Sequence, residues 1–327
     1  MKIMVTGGNG FIGSNFIRFL LHPETNIQII NIDNCTYAGK GNNIGHMQLN
    51  ALQNYKSIKA DIQNMELMDY VVKTENPEMI FNFAAESHVD RSIESSDSFE
   101  RTNFLGACTL FKVVMKYKIK KIIHISTDEV YGSISGGSFD ESSALHPSNP
   151  YAVTKAAADL MAQTFFTSFH FPVIVTRSAN NYGPYQFPEK LLPLFITNLI
   201  DNKKVPLMYT DENPGLNVRD WLHVDDNCRA IWFVANKGKV GEVYNIGGEN
   251  EKTNIEITRK LLKVFNLGED MIEKVPHRKA HDFRYSITND KLKNLGFTYL
   301  HLDLEEEIKN LVHWYKNNQD WWRPLKS

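Results

Sequence analysis

The feature that most constrains this chain lies at its start. Lys2-Ile3-Met4-Val5 is an apolar run, followed at once by Thr6-Gly7-Gly8-Asn9-Gly10-Phe11-Ile12-Gly13 and then by a helical pattern over 14–21. Strand, glycine loop and helix in that order form the opening unit of a parallel sheet that holds a dinucleotide. Gly7 permits the tight turn, Gly10 lets a pyrophosphate reach the backbone at the positive helix end, and Gly13 lets helix and strand pack closely. A second apolar run, 27–32, ends in Asp33, twenty residues past Gly13. A carboxylate there hydrogen-bonds the adenosine ribose hydroxyls and repels a 2′-phosphate, so the spacing predicts NAD rather than NADP.

The rhythm set by this unit continues. Apolar runs at 57–61, 78–83, 121–126 and 172–176 read as strands, separated by helical patterns over 65–73 and 99–117. A further helix begins at Pro150, with Asn149 as its cap, and carries Tyr151. Such alternation predicts an α/β protein with a doubly wound, parallel, Rossmann-type sheet. Its ligands bind beyond the carboxyl ends of the strands, where Gly7, Asp33, Asp61, Ala84-Ala85-Glu86-Ser87, Thr127 and Asn180 all fall. After residue 176 the alternation breaks. Helices over 188–200, within 221–235, and over 254–265 and 304–314 are separated by a polar loop at 209–219 and a short strand at 241–246. With 327 residues the chain exceeds one ordinary core. The expected division is a cofactor domain over 1–178, with return segments from about 219–247, and a smaller, interleaved substrate-binding region over 179–327.

Two strings point to the chemistry. Tyr151-Ala152-Val153-Thr154-Lys155 places a phenol and an ammonium four residues apart, on one helix face. A nearby cation favours phenolate over the ordinary phenol pKa of about 10, which makes Tyr151 a candidate base for an alcohol. Ser126-Thr127-Asp128-Glu129-Val130-Tyr131-Gly132 ends the apolar run 121–125 with a hydroxyl and two adjacent carboxyls. A second base and an acid beside the first base suggest hydride transfer coupled to elimination.

Other classes find no support. The formal net charge of −2 gives no reason to expect nucleic acid or a membrane surface, and no apolar run approaches the roughly 20 residues of a membrane span. Cys35, Cys108 and Cys228 are scattered without metal-ligand spacing, so no metal is expected. Met1-Lys2 enters the first strand without a signal-peptide pattern, and the cytoplasm is the expected compartment.

With these motifs go Ala84-Ala85-Glu86-Ser87-His88-Val89-Asp90-Arg91-Ser92, Asn180 to Pro184, Phe187-Pro188-Glu189-Lys190-Leu191, Arg219-Asp220-Trp221 and Tyr244-Asn245-Ile246-Gly247-Gly248. Together they resemble the nucleotide-sugar 4,6-dehydratases of the extended short-chain dehydrogenase/reductase family, in particular those acting on dTDP-glucose. The resemblance runs from Lys2 to about Trp321. It implies that Tyr151 takes the C4 hydroxyl proton, that Thr127 hydrogen-bonds the C4 oxygen, and that Lys155 binds the nicotinamide ribose and keeps Tyr151 acidic. Glu129 would remove the C5 proton, and Asp128 would protonate the departing C6 hydroxyl. Around the cofactor the resemblance implies Gly7, Gly10, Phe11, Ile12, Gly13, Asp33, Asn34, Thr36, Asp61, Ile62, Ala84, Ala85, Thr102 and Asn181, with Tyr151 and Lys155. Around the sugar nucleotide it implies Ser87, Thr127, Asn180, Lys190, Leu191, Arg219, Asn254 and Tyr285, with Arg219 as the pyrophosphate clamp. Glu86 and Asp90 receive no chemical role. The resemblance also implies a homodimer in which the helices over 99–117 and 151–169 pair as a four-helix bundle.

Two segments depart from the family pattern. The stretch 210–218 looks a few residues longer, and 277–285 is poorer in Pro and Gly, with Phe283 where Arg is usual. Both lie on the nucleotide side and leave UDP-glucose open beside dTDP-glucose. Two other readings stay open. A sugar-nucleotide 4-epimerase needs only Thr127, Tyr151, Lys155 and NAD, and a non-catalytic NAD-binding regulator needs no Tyr/Lys pair.

Overall fold

The computed structural model describes residues 1–21, 26–39, 43–45, 53–277 and 282–326. Twelve strands are named here in chain order: β1 (Lys2–Thr6), β2 (Gln28–Asp33), β3 (Tyr55–Lys59), β4 (Met79–Asn82), β5 (Lys121–Thr127), β6 (Val173–Ser178), β7 (Asn180–Tyr182), β8 (Val205–Met208), β9 (Val218–His223), β10 (Val243–Ile246), β11 (Glu251–Thr253) and β12 (Ile272–Val275). Seven of them form one sheet in the order β10-β6-β5-β4-β1-β2-β3. Every pairing in it is parallel. The order reverses at β1, so the crevice for a ligand opens beyond the ends of β1 and β4.

Alternate residues of each strand feed opposite cores. Ile3, Val5, Phe81, Ile123 and Ile174 pack with Phe16 and Ile17 of helix Phe11–Leu20 and with Cys228 and Ile231 of helix Val224–Lys237. Met4, Ile30, Ile80, Ile122 and Val173 pack on the other face with Val72, Leu110, Val114 and Ala158. A third core, around Tyr182, Phe195, Trp221, Leu261, Ile308 and Trp322, supports two small sheets, β11-β9-β7 and β12-β8. The chain enters this part at β7 and returns to the large sheet through helix Val224–Lys237 and β10.

The glycine loop follows its expected logic at two positions. Gly7 has φ +72°, and a Cβ there would lie 2.5 Å from the Ala84 nitrogen. A Cβ on Gly13 would lie 2.3 Å from the Gly7 oxygen, within the helix-strand contact. Gly10 differs: its Cβ would meet only the Gly7 oxygen, at 3.3 Å, and the residue lines an open cleft.

The expected single helix over 99–117 is interrupted. Residues Glu100–Gly106 form a wide π turn ahead of the regular helix Ala107–Tyr117. The wide turn brings Gly106 against Ile62, where a Cβ would lie 2.7 Å from the isoleucine side chain. It also carries Asn103, whose side chain accepts from Glu86 N (2.9 Å) and donates to Glu86 O (3.0 Å) and to Thr154 Oγ1 (3.0 Å). The end of β4 is thereby tied to the helix that carries Tyr151. Hydrophobic periodicity gives no sign of such a bulge, because the apolar positions on either side remain in phase. The expected helix over 188–200 begins later, as Leu191–Ile200. The expected polar loop over 209–219 ends in the strand β9.

Candidate active site

Two clefts lie beyond the carboxyl ends of the strands, divided at Glu86 and Ser87. The first is lined by Gly7, Gly10, Asp33, Asn34, Thr36, Asp61, Ile62, Ala84, Ala85 and Thr102 from the expected cofactor set. Ala38, Gly39, Phe83 and Glu86 also line it. Phe11, Ile12 and Gly13 belong to the adjoining helix. Asp33 ends β2, and its carboxylate accepts from the backbone N–H groups of Asn9 (2.8 Å) and Cys35 (2.7 Å). Burial raises its pKa, against the lowering effect of those two donors. No Lys or Arg is among the described lining residues, whereas Asp33, Asp61 and Glu86 are. Open space at Gly10, the Asp33 carboxylate in the cleft wall and the absence of a Lys or Arg among its described lining residues fit NAD.

The second cleft gathers Ser87, Asn180, Lys190, Leu191, Arg219, Asn254 and Tyr285, together with Glu129 and Asn181. Asn181 was expected beside the cofactor; it lines this cleft. The Arg219 guanidinium stacks over the Tyr285 ring at 4.4 Å and donates to the carbonyls of Val218 (2.6 Å) and Asp282 (3.0 Å). Asp220 is structural: it accepts from Gly248 N (2.6 Å) and Asn250 N (2.8 Å), which holds the Gly-Gly turn against β9. Buried polar atoms accompany this lining. Asn180 Oδ1, Asn181 Oδ1, Gln186 Oε1, Trp221 Nε1 and Asn254 Oδ1 have no hydrogen-bond partner. Gln186 and Trp221 were not among the expected binding residues, although Trp221 lies in the quoted Arg-Asp-Trp string. Of the segment 277–285, residues 278–281 lie outside those described; Phe283 is exposed, and its carbonyl accepts from Val218 N.

The catalytic candidates converge where β5 ends. Thr127 caps the short turn Asp128–Tyr131 by accepting from Glu129 N at 3.2 Å, which sets the two carboxyls side by side. Asp128 is buried, its Oδ2 has no partner, and its Oδ1 accepts from Thr127 at 3.3 Å. Burial first, then the neighbouring charges of Glu129 and Asp220, push its pKa well above the usual carboxylate range. Its surroundings therefore favour the form that carries a proton. Glu129 Oε2 accepts from Asn149 (3.2 Å) and lies 3.4 Å from the Tyr285 hydroxyl. Asn149 has a second task, since its Oδ1 caps helix Pro150–Phe169 through Ala152 N. The helix that presents Tyr151 and the carboxylate of Glu129 are thus fixed by one side chain.

Tyr151 and Lys155 correct one expectation. Lys155 is buried and donates to the Ile125 carbonyl at 2.6 Å. Burial lowers its pKa to about 8, against the opposing charge of Asp159. Tyr151 is raised rather than lowered: burial and then the negative Glu129 push it up, and the hydrogen bond with Thr127 acts only partly against them. The i, i+4 spacing places both residues on one helix face, but Lys155 has spent its shortest hydrogen bond on β5. Asp159, one turn further, also accepts from Arg177 Nε and Ser126 Oγ, both at 2.9 Å. The sequence could not assign these bonds, because they depend on how β5 and β6 pack beneath the helix.

The profile of the family described as GDP-mannose 4,6 dehydratase matches residues 4–311. A dTDP-glucose 4,6-dehydratase of Streptomyces niveus is 45% identical over 332 residues, covering 100% of this chain and 96% of the relative. The structure of a dTDP-glucose 4,6-dehydratase from Bacillus anthracis, in complex with NAD, is similar at a TM-score of 0.90 and 46% identity, covering 99% of each chain. That of dTDP-glucose 4,6-dehydratase from Streptomyces venezuelae, also with NAD bound, gives 0.93 and 42%, covering 99% of this chain and 100% of the other.

Proposed function

This chain belongs to the family described as GDP-mannose 4,6 dehydratase, and from that premise we propose that it is an NAD-dependent nucleotide-sugar 4,6-dehydratase. It converts dTDP-glucose, with UDP-glucose as the alternative substrate, to the 4-keto-6-deoxy sugar nucleotide and water. NAD, which Gly7, Gly10 and Asp33 of the first cleft would hold, would supply hydride acceptance at C4 and hydride donation at C6. The protein supplies the rest. Tyr151, hydrogen-bonded to Thr127, is assigned to receive the C4 hydroxyl proton as a phenolate, a form that the positive nicotinamide ring of bound NAD would favour against the burial that raises its pKa, and Thr127 is assigned to hold the C4 oxygen. The resulting ketone acidifies C5–H. Glu129 removes that proton, Asp128 delivers its own to the leaving C6 hydroxyl, and a proton returns to C5 when C6 is reduced. Elimination needs an acid and a base acting on neighbouring carbons, and groups whose environments differ can divide those tasks. The observation that carries the reading is the buried Asp128, its Oδ2 without a partner, next to Glu129, which lines the second cleft. An epimerase would leave that acid without a task.

Gly7, Gly10 and Asp33 are assigned to the cofactor, with Phe11, Ile12, Gly13, Asn34, Thr36, Asp61, Ile62, Ala84, Ala85 and Thr102. Ser87, Asn180, Lys190, Leu191, Arg219, Asn254 and Tyr285 are assigned to the sugar nucleotide. The cofactor domain comprises 1–178 with return segments from about 219–247, and the sugar-nucleotide region 179–327. Two chains pair through the helical stretches 99–117 and 151–169 as a four-helix bundle. Leu105, Val153, Leu160 and Phe169 are each about half exposed there, which supports a covered face. No helix among the described residues is long and apolar enough to cross a membrane, and the cytoplasm is the proposed compartment. Incubation with dTDP-, UDP- and GDP-glucose, with products identified by NMR, tests the reading. A 6-deoxy-4-keto product from dTDP-glucose or UDP-glucose supports it, and no such product from any of the three rejects it.

A further inference from the structure

The motif around Glu86-Ser87-His88 contains polar residues that the chemistry does not use. They converge on a contact between the two clefts. Tyr37, in the short turn Tyr37–Gly39 at the edge of the cofactor cleft, donates its hydroxyl to Glu189 Oε1 at 2.9 Å. The Arg91 guanidinium lies 3.7 Å from the centroid of the Tyr37 ring and 3.6 Å from Glu189 Oε2. His88 Nε2 is also 3.6 Å from Glu189 Oε2, and the ring of Phe187 meets Tyr37 edge-on at 5.5 Å. Next to Tyr37, the Thr36 hydroxyl bonds Glu86. The segment 36–39 is therefore fastened twice, at Glu86 and at Glu189.

Glu189 is part of the other cleft. It lines the sugar-nucleotide site with Lys190 and Leu191. The backbone N–H groups of Glu189 and Lys190 both donate to the Phe187 carbonyl, at 2.9 and 3.3 Å, so the two residues move as one tight turn. Lys190 reaches across to the Ser87 carbonyl at 3.1 Å. Whatever orders Lys190 and Leu191 orders Glu189, and through it Tyr37. Burial and the adjacent Glu189 both raise the Tyr37 pKa, so the phenol stays a hydrogen-bond donor.

We propose that Glu189 is a positioning residue that couples the two clefts: a sugar nucleotide in the second cleft fixes the 187–191 turn, and the Glu189–Tyr37 bond then holds segment 36–39 closed over the cofactor. The coupling rests on the dehydratase reading for its purpose, because hydrogen taken at C4 must be given back to the same sugar before the cofactor can leave. Its thermodynamic form is reciprocal: if the nucleotide tightens NAD binding, NAD tightens nucleotide binding by the same factor.

The test measures NADH release from pre-loaded protein by loss of bound-nucleotide fluorescence, with saturating dTDP or UDP and without either. It involves no turnover, so it is independent of product analysis. Tyr37→Phe keeps the ring under Arg91 and removes the hydroxyl; Glu189→Gln keeps the shape and removes the charge. The wild type should release NADH several-fold more slowly with a nucleoside diphosphate present. Each variant should release it about tenfold faster than wild type in the diphosphate-bound state. Each should also lose the diphosphate dependence, and the double variant should be no worse than either single one. Two outcomes overturn the proposal: a wild-type release rate that neither diphosphate changes, or variants that keep the full wild-type ratio between the two conditions. If the coupling is found but no 6-deoxy product forms from any nucleotide sugar, the dehydratase reading fails and the coupling stands.

Discussion

The two clefts are built on opposite principles. The first is a product of one parallel sheet: Gly7, Asp33, Asp61 and Ala84 all follow strand ends, and the Asp33 carboxylate already accepts two backbone donors. The second is assembled from distant stretches near 87–90, 180–195, 206–221, 254 and 285, and five of its lining residues carry a buried polar atom without a partner. A buried polar group left unpaired costs about 1–3 kcal/mol. The cofactor side is therefore internally satisfied, while the sugar-nucleotide side carries a folding cost that a polar ligand can offset. Stability and recognition should separate accordingly under mutation.

The strongest break between the two sides is chemical. Asp128→Asn and Glu129→Gln should each lower turnover by about 10²–10⁴-fold, the range of general acid-base effects, while the NAD dissociation constant changes little. Steady-state kinetics paired with NAD titration checks this, and a large loss of NAD affinity would mean that the carboxyls serve the first cleft. Next in size, Asp33→Ala should weaken NAD by about 10–100-fold, the worth of hydrogen bonds to a charged group, and should improve tolerance of NADP while leaving dTDP affinity intact. A wild type that prefers NADP in direct titration would contradict the reading of Asp33.

Asn254→Ala sharpens the contrast further. It removes the unpartnered Oδ1 near the start of helix Asn254–Phe265 and installs a better helix former. The sugar nucleotide should bind about tenfold more weakly, while the melting temperature stays level or rises. A fall of several degrees with unchanged affinity would make Asn254 structural. The smallest effect concerns pH. Lys155, with its pKa lowered to about 8, is charged below that value and neutral above it. If its charge serves C4 oxidation, the rate should fall as pH rises through about 8. Asp159 raises the Lys155 pKa, so Asp159→Asn should move that limb to lower pH. A rate that keeps climbing past pH 9 in the wild type would remove Lys155 from this role.

Legibility follows the same division. The glycine loop, Asp33 and the strand-end positions could be read because a parallel βα unit fixes function to spacing. The Asn149 cap and the Pro150 start were visible for a similar reason, since capping is local. The strands of the two small sheets, β7, β8, β9, β11 and β12, were mostly missed: three to six residues long, they draw their stability from the third core and carry little pattern of their own. Asn103 was missed because nothing in its helical period announces a π turn. The Tyr151 shift runs opposite to expectation because spacing gives the face of a helix but neither the burial of the phenol nor the Glu129 charge beside it. Glu86 and His88 stood in a quoted motif without a task, and only the fold brings them to Tyr37 and Glu189.

On the proposed function, one bound cofactor serves both clefts, with hydrogen taken at C4 and returned at C6 while Glu129 and Asp128 remove water between C5 and C6. The direct test uses dTDP-glucose, and in parallel UDP-glucose, carrying deuterium at C4 in ordinary water. The label should appear in the C6 methyl group of the 4-keto-6-deoxy product. Mixing labelled substrate with substrate marked by ¹³C elsewhere in the sugar should give no product carrying both marks. In heavy water, unlabelled substrate should acquire deuterium at C5. A label that returns only to C4, without any 6-deoxy product, would contradict the account and assign the chain an epimerase reaction.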